Sequence, residues 1–388
     1  MRVLLISFLP GIDPACGDVT YTQTLLARPP EGVVYETYSD ALNRGTLIEH
    51  GRRNRLWREP VLTLGNKALD ILRKRRILFW EPFRFFSVAP GAYDLIHLHV
   101  FNARFLSIDC ALVISSGAPQ PELYKDRRNY SSRRVAILSA VERTLNCITQ
   151  MNSNSFYMPQ AQRVIVYTQH FKDYLARHRF MAPDKVAVIP IHLLPTFVHA
   201  ASRMPNRVGF VARDFDAKGG PVLLRAFEEV RRQRPDVELW VVGSPPRMSD
   251  DEAARRGIKW LPSLPREEVL DEIMPSFDVF AYPTPHDCFS YVLLEAMAAG
   301  CAIATSDYIS MPEAVDWGGA GLISPVNDCE TLAANILTLL EPEVNRRFKQ
   351  AARERFDNYF SYSAVAPRLL EMYQEAITEY KNGADPSQ

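Results

Sequence analysis

The chain predicts an α/β protein of two doubly wound domains, each a parallel sheet with helices on both faces. Three observations carry this. Short apolar, β-branched runs recur along the sequence, each closed by Gly, Pro, Ser or Asp and followed by a helix-like stretch, the pattern of strands buried on both faces. The composition, 47% hydrophobic and 23% charged, is that of folded soluble protein and excludes collagen, coiled coil and disorder. Finally, 388 residues suffice for more than one core, and a proline-bearing stretch without a period, PIHLLPTFVHAASRMPN at 190–206, divides them.

In the first half the strands fall at 3–7, 95–99, 111–115 and 163–168. The N-terminal apolar run is too short to span a membrane and lacks a small-residue cleavage site, so it reads as the first buried strand. In the second half strands fall at 207–213, 237–243, 279–284, 301–306 and 321–325. After Pro367, Leu369, Leu370, Tyr373, Ala376, Ile377 and Tyr380 recur at helical spacing, with Glu371, Glu375 and Glu379 on another face. Residues 368–381 are therefore an amphipathic terminal helix, expected to pack back on the first domain. The domains are 1–193 with 366–388, and 206–365. Two open sheets of this kind place their strand C-terminal ends around a crevice, where ligands bind.

Formal charge sums to zero, 45 basic against 45 acidic residues, which excludes a basic coat for nucleic acid. The zero hides an asymmetry: with 366–388 counted in the first domain, that domain carries about +7 and the remainder about −7. The six cysteines are scattered, with no CxxC pair or zinc-finger spacing, which reads as a reduced, cytoplasmic chain without a structural metal. Residues 10–17 do not supply the GxGxxG of a dinucleotide-binding dehydrogenase.

The most informative stretch is HDCFSYVLLEAMAAGCAIATSD, residues 286–307. A strand ending near Thr284 leads through a loop with Asp287 into a helix that starts at Phe289, Ser290 or Tyr291, carries Glu295 and stops at Gly300. The N–H groups opening that helix suit a phosphate, and Glu295 can accept two hydrogen bonds from a vicinal diol such as a ribose. Asp287 equally suits a cap of the helix. In VGFVARDFDAKGGPVLLRAF, residues 208–227, Arg213 and Lys218 follow a strand five residues apart and can converge on one diphosphate, Arg by a bidentate fork and Lys as a point charge.

Two carboxylates eight positions apart around a Phe, ahead of LLEAMAAG, resemble the ExxxxxxxE motif of retaining glycosyltransferases of family 4, with Asp287 in place of the first Glu. The likeness extends over residues 206–365, through PDVELWVVG, WLPSLPREEVL and PEAVDWGGAGLISPVND. It is looser in the first half, where PACGDVTYTQTLL and YDLIHLHV resemble the family's first loop and its DxxHxH pattern. The resemblance implies the GT-B fold, two Rossmann-like domains facing a cleft with the C-terminal helix crossing back to the first. It implies transfer of a sugar from a nucleoside diphosphate sugar, UDP or GDP, to a carbohydrate or lipid-linked acceptor hydroxyl, without a metal or other cofactor. Arg213 and Lys218 would stabilise the departing diphosphate, with Asp287, in contact with the donor sugar, and His99, facing the crevice from a strand end, as further catalytic groups; on its own strand His99 reads equally as a buried, hydrogen-bonded histidine. Gly17, Asp18, Leu264, Phe289, Ser290, Tyr291 and Glu295 would complete the donor site. A sugar phosphorylase-like enzyme would differ by phosphate dependence, and a non-catalytic sugar-nucleotide-binding protein by absence of turnover.

Residues 51–86 hold ten Lys/Arg against Glu59, Asp70 and Glu81, interleaved with Trp57, Phe79, Trp80, Phe83, Phe85 and Phe86. Three readings stand: a basic helix face with its aromatics turned inward, a surface for anionic lipid at the inner face of the membrane, or an anionic or carbohydrate acceptor surface. KDRRNYSSRR, residues 125–134, adds positive charge to the same half.

Overall fold

The computed structural model describes residues 1–7, 17–50, 84–99, 103–106, 108–117, 131, 133, 137, 161–177, 179, 181–193 and 206–383. Most of the 51–86 and 125–134 stretches lie outside the described residues. The chain divides into two compact units, Met1–Pro190 with Ala366–Gln388, and Ile191–Val365.

The first unit contains β1 (Arg2–Ile6), β2 (Val34–Thr37), β3 (Leu47–His50), β4 (Arg84–Val88), β5 (Leu95–His99), β6 (Ala103–Phe105), β7 (Ala111–Ser116), β8 (Arg163–Val166) and β9 (Val186–Val188). Six of them form a sheet in the order β2-β1-β5-β7-β8-β9, with every pairing parallel. Its middle strands read LIHLH and ALVISS and are buried at every position, as strands covered on both faces must be. A separate three-stranded sheet, β3-β4-β6, shares its core through Leu47, Phe86, Val88 and Phe105.

The second unit contains β10 (Arg207–Val211), β11 (Glu238–Val242), β12 (Ile258–Leu261), β13 (Val279–Tyr282), β14 (Ala302–Ser306) and β15 (Leu322–Ser324). They form one parallel sheet ordered β12-β11-β10-β13-β14-β15. Helix Gly220–Gln233 buries Val222, Leu223, Ala226, Phe227 and Val230 on one stripe. Residues 191–193 belong to this unit rather than to the first: the Leu193 N–H donates to the Phe360 carbonyl at 3.4 Å, and Leu193 bridges Ser361.

Two expectations need correction. The strand expected over 207–213 ends at Val211, so Arg213 stands in the turn beyond it. The terminal helix starts before Pro367, not after it, and runs Tyr362–Gly383. Pro367 is exposed while Val365, Ala366 and Leu369 are buried on either side, so burial outweighs the one helical hydrogen bond the ring removes.

Candidate active site

The chain lays β11 and β12 on one side of β10, then returns to place β13, β14 and β15 on the other. That reversal between β10 and β13 is a topological switch point, and the loops leaving the two strands at their C-terminal ends form the crevice where such sheets bind ligands. The first loop is folded by its own polar groups. Asp214 Oδ1 accepts from the Ala217 N–H at 3.0 Å, and the Asp214 carbonyl accepts from the Lys218 N–H at 3.2 Å. Gly219 then takes φ 84°, and a Cβ there would stand 2.1 Å from the Pro283 carbonyl oxygen, so only glycine lets the two loops touch.

The second loop, residues 283–290, hangs from neighbouring strand ends. Thr305 Oγ1 donates to the Tyr282 carbonyl at 3.0 Å, Ser306 Oγ to that of Thr284 at 2.6 Å, and Ser310 Oγ to that of Cys288. The helix Tyr291–Ala298 follows, with Ser290 buried at its N-cap.

Across these loops Lys218 Nζ lies 2.8 Å from Asp287 Oδ2 and donates to the His286 carbonyl at 2.8 Å. The buried Tyr282 hydroxyl donates to the same Oδ2 at 2.9 Å. Burial, reinforced by the Asp287 charge, raises the Tyr282 hydroxyl well above the ordinary tyrosine range, so it stays a donor. One turn into the helix, Glu295 is 6% exposed, with Oε1 2.5 Å from Arg266 Nη2. Burial pushes this carboxyl up from the usual glutamate range, and the Arg266 guanidinium pulls it partly back.

The sequence-predicted groups are thus only partly assembled. Lys218 and Asp287 meet, and Glu295 stands on the helix after them. Arg213 is exposed in the turn beyond β10. Leu264 lies half-buried three residues past the end of β12, and Phe289 is half-buried with its ring 6.1 Å from that of Phe360. Tyr291 opens the helix. In the first unit, Gly17 and Asp18 open the helix Gly17–Ala27 rather than lying in a loop, since helical pairing starts at Gly17. His99, expected to face the crevice, is 1% exposed: its Nδ1 is 2.8 Å from Ser115 Oγ, and the Tyr21 ring covers it at 4.5 Å. A strand end with Tyr21 and Tyr167 over it keeps an imidazole inside, next to the buried His97.

Sequence reasoning missed Tyr282 and Arg266. Arg266 left a faint signal, a cation opening a helical turn where acidic residues are favoured.

Two Rossmann-like units in one chain, each built on a parallel sheet, make up the GT-B fold. Solved structures agree in fold: sucrose-phosphate synthase from Thermosynechococcus elongatus superposes with TM-score 0.63 at 18% identity, covering 97% of this chain and 99% of its own. The Anabaena protein HepE, solved in complex with UDP-glucose, gives 0.58 at 14% identity, covering 96% and 99%. In sequence, the pattern of the glycosyl transferases group 1 matches residues 205–342. A phosphatidyl-myo-inositol mannosyltransferase of Mycolicibacterium smegmatis is 32% identical over 298 residues, 74% of this chain and 72% of its own. A D-inositol 3-phosphate glycosyltransferase of Saccharomonospora viridis is 27% identical over 322 residues, 76% and 73%. The chain belongs to the group 1 glycosyltransferases, and it is a glycosyltransferase enzyme.

Proposed function

We propose that the chain is a retaining enzyme that moves a hexosyl group from a UDP- or GDP-sugar to a hydroxyl of a carbohydrate or lipid-linked acceptor. The observation that carries the donor half is the convergence of the β10 and β13 loops, which brings Lys218 to the switch point with Glu295 buried on the next helix. A cation beside a helix N-terminus suits a diphosphate, and a buried carboxylate suits the two hydroxyls of a ribose. Relatives point the same way for the substrates: one structural neighbour was solved with UDP-glucose, and one relative is a phosphatidyl-myo-inositol mannosyltransferase.

In this reading Lys218 and Arg213 stabilise charge as the bond from the anomeric carbon to the β-phosphate oxygen breaks and its electron pair stays on that oxygen. The acceptor hydroxyl attacks the same face and gives its proton to the phosphate. Electrostatic stabilisation of the leaving group is then the largest contribution the protein makes, and no covalent nucleophile is needed. The acceptor side, assigned to the more basic first unit, fits a phosphorylated or lipid-linked molecule.

Transfer is expected to fall by about a hundredfold or more in Lys218→Ala and in Glu295→Ala, since each removes a buried or charge-assisted contact to the donor. Wild-type rates in both would refute the assignment. Proton NMR of the anomeric signal in the product separates retention from inversion.

A further inference from the structure

The resemblance assigns Asp287 to the donor sugar, but its carboxylate is already engaged elsewhere. One oxygen, Oδ2, takes the Lys218 ammonium at 2.8 Å and the Tyr282 hydroxyl at 2.9 Å. Lys218 Nζ is held a second time by the His286 carbonyl, also at 2.8 Å. An aspartate is one methylene shorter than the glutamate of the family motif, so its carboxylate stays near the loop that carries it. The tyrosine is anchored below: its backbone carbonyl is tied to Thr305, and its ring packs on Phe280 and Phe210. Lysine's long stem otherwise leaves its charge unplaced.

We propose that Tyr282, Asp287 and the His286 carbonyl form a cradle that fixes the Lys218 ammonium for the donor diphosphate, with Asp287 a positioning residue for that cation rather than a ligand of the sugar. An ammonium has three N–H donors. The cradle takes two of them, and the third remains for a phosphate oxygen. Pairing with Asp287 holds the partly buried ammonium in one orientation before the donor arrives, so less ordering is left for the binding step. The proposal rests on the donor-site reading above.

The test compares affinities for bare UDP and GDP with those for the matching sugar nucleotides, by calorimetry, in wild type, Asp287→Asn, Tyr282→Phe, Lys218→Met and the Lys218→Met/Asp287→Asn double variant. Thermal unfolding of each variant checks its fold. Asparagine keeps the shape of Asp287 and removes its charge. The cradle predicts that Asp287→Asn weakens the bare diphosphate about tenfold and the sugar nucleotide by the same factor. Tyr282→Phe shifts both in the same direction by less, and the double variant is no weaker than Lys218→Met alone. Equal or tighter binding of bare UDP and GDP by Asp287→Asn, with loss confined to the sugar nucleotide, overturns the cradle and restores the sugar contact. Losses that simply add in the double variant overturn it as well. Wild type binding neither nucleotide would instead remove the donor-site reading on which the cradle stands.

Discussion

Glu295 shows how two residues far apart in sequence set one chemical property. Its carboxyl is buried, which favours the neutral acid, while Arg266 supplies the opposing charge from the helical turn that follows β12. In the proposed donor site this carboxyl accepts two hydrogen bonds from a ribose, which the ionised form does best. Because its folded-state value is raised, nucleotide affinity is expected to fall as the pH drops, beginning above the ordinary glutamate range of about 4.3. In Arg266→Ala burial acts unopposed and the acid limb moves to higher pH, where each unit below the midpoint costs about tenfold in affinity. Titrating the affinity for the nucleotide sugar, whose diphosphate carries no group that titrates in this range, between about pH 5 and 8 reads this directly. An acid limb that stays put in the variant would show that Arg266 does not tune Glu295.

At the scale of elements, the loops after β10 and β13 matter through their mutual contact, and Gly219 is the point where they touch. Gly219→Ala asks for both a left-handed backbone at a residue with a Cβ and room where the Pro283 carbonyl already stands. The loops must part, carrying Lys218 away from Asp287. Nucleotide binding is expected to drop by at least tenfold, with a stability loss of about 1–3 kcal/mol, measured by calorimetry and chemical denaturation. Unchanged affinity would mean the loops reposition independently. The legibility of the fold followed the same division between local and distant information. Middle strands such as β5 were readable to the residue, because both faces are buried and the apolar run has sharp ends. Strands such as β2 and β12, with burial at a minority of positions, and the small sheet β3-β4-β6 left no comparable signal. Of the candidate site, Lys218 and Glu295 could be picked out by their spacing after strands and Asp287 by the motif, whereas Arg213, picked out by the same spacing, stands exposed in the turn beyond β10. The partners of Asp287 and Glu295 were not legible: Tyr282 reads as one more apolar strand residue and Arg266 as one more surface cation until the chain folds. For His99 the sequence leaves two readings open, a crevice-facing group and a buried strand-end histidine, and the rings of Tyr21 and Tyr167, arriving from separate elements, decide for burial.

For the whole molecule, the first unit is completed by the last segment of the chain. Leu369, Met372, Tyr373 and Ala376 are buried in it, and Glu375 and Glu379 pair with Arg163, with Glu379 also 3.0 Å from Lys185. The Tyr373 hydroxyl lies 2.5 Å from His97 Nδ1 and 3.0 Å from the Tyr35 hydroxyl, while His97 Nε2 lies 2.8 Å from Ser115 Oγ. Burial, with His99 beside it, lowers His97 to about 3, so the ring is neutral in the folded protein at any ordinary pH. An unfolded chain takes up that proton at about 6.5, hence binds more protons than the folded one between about 6.5 and 3. The sign follows: stability of the first unit falls as the pH is lowered through this window, with a slope of up to about 1.4 kcal/mol per unit from this residue alone. His97→Gln, which cannot protonate, is expected to flatten the slope, whereas Tyr373→Phe removes a buried hydrogen bond and lowers stability by about 1–3 kcal/mol while keeping the slope. Hydrogen exchange of the β5 amides across pH reports on this unit without involving the other. If His97→Gln loses stability with acid as steeply as wild type, the acid sensitivity resides elsewhere than in His97.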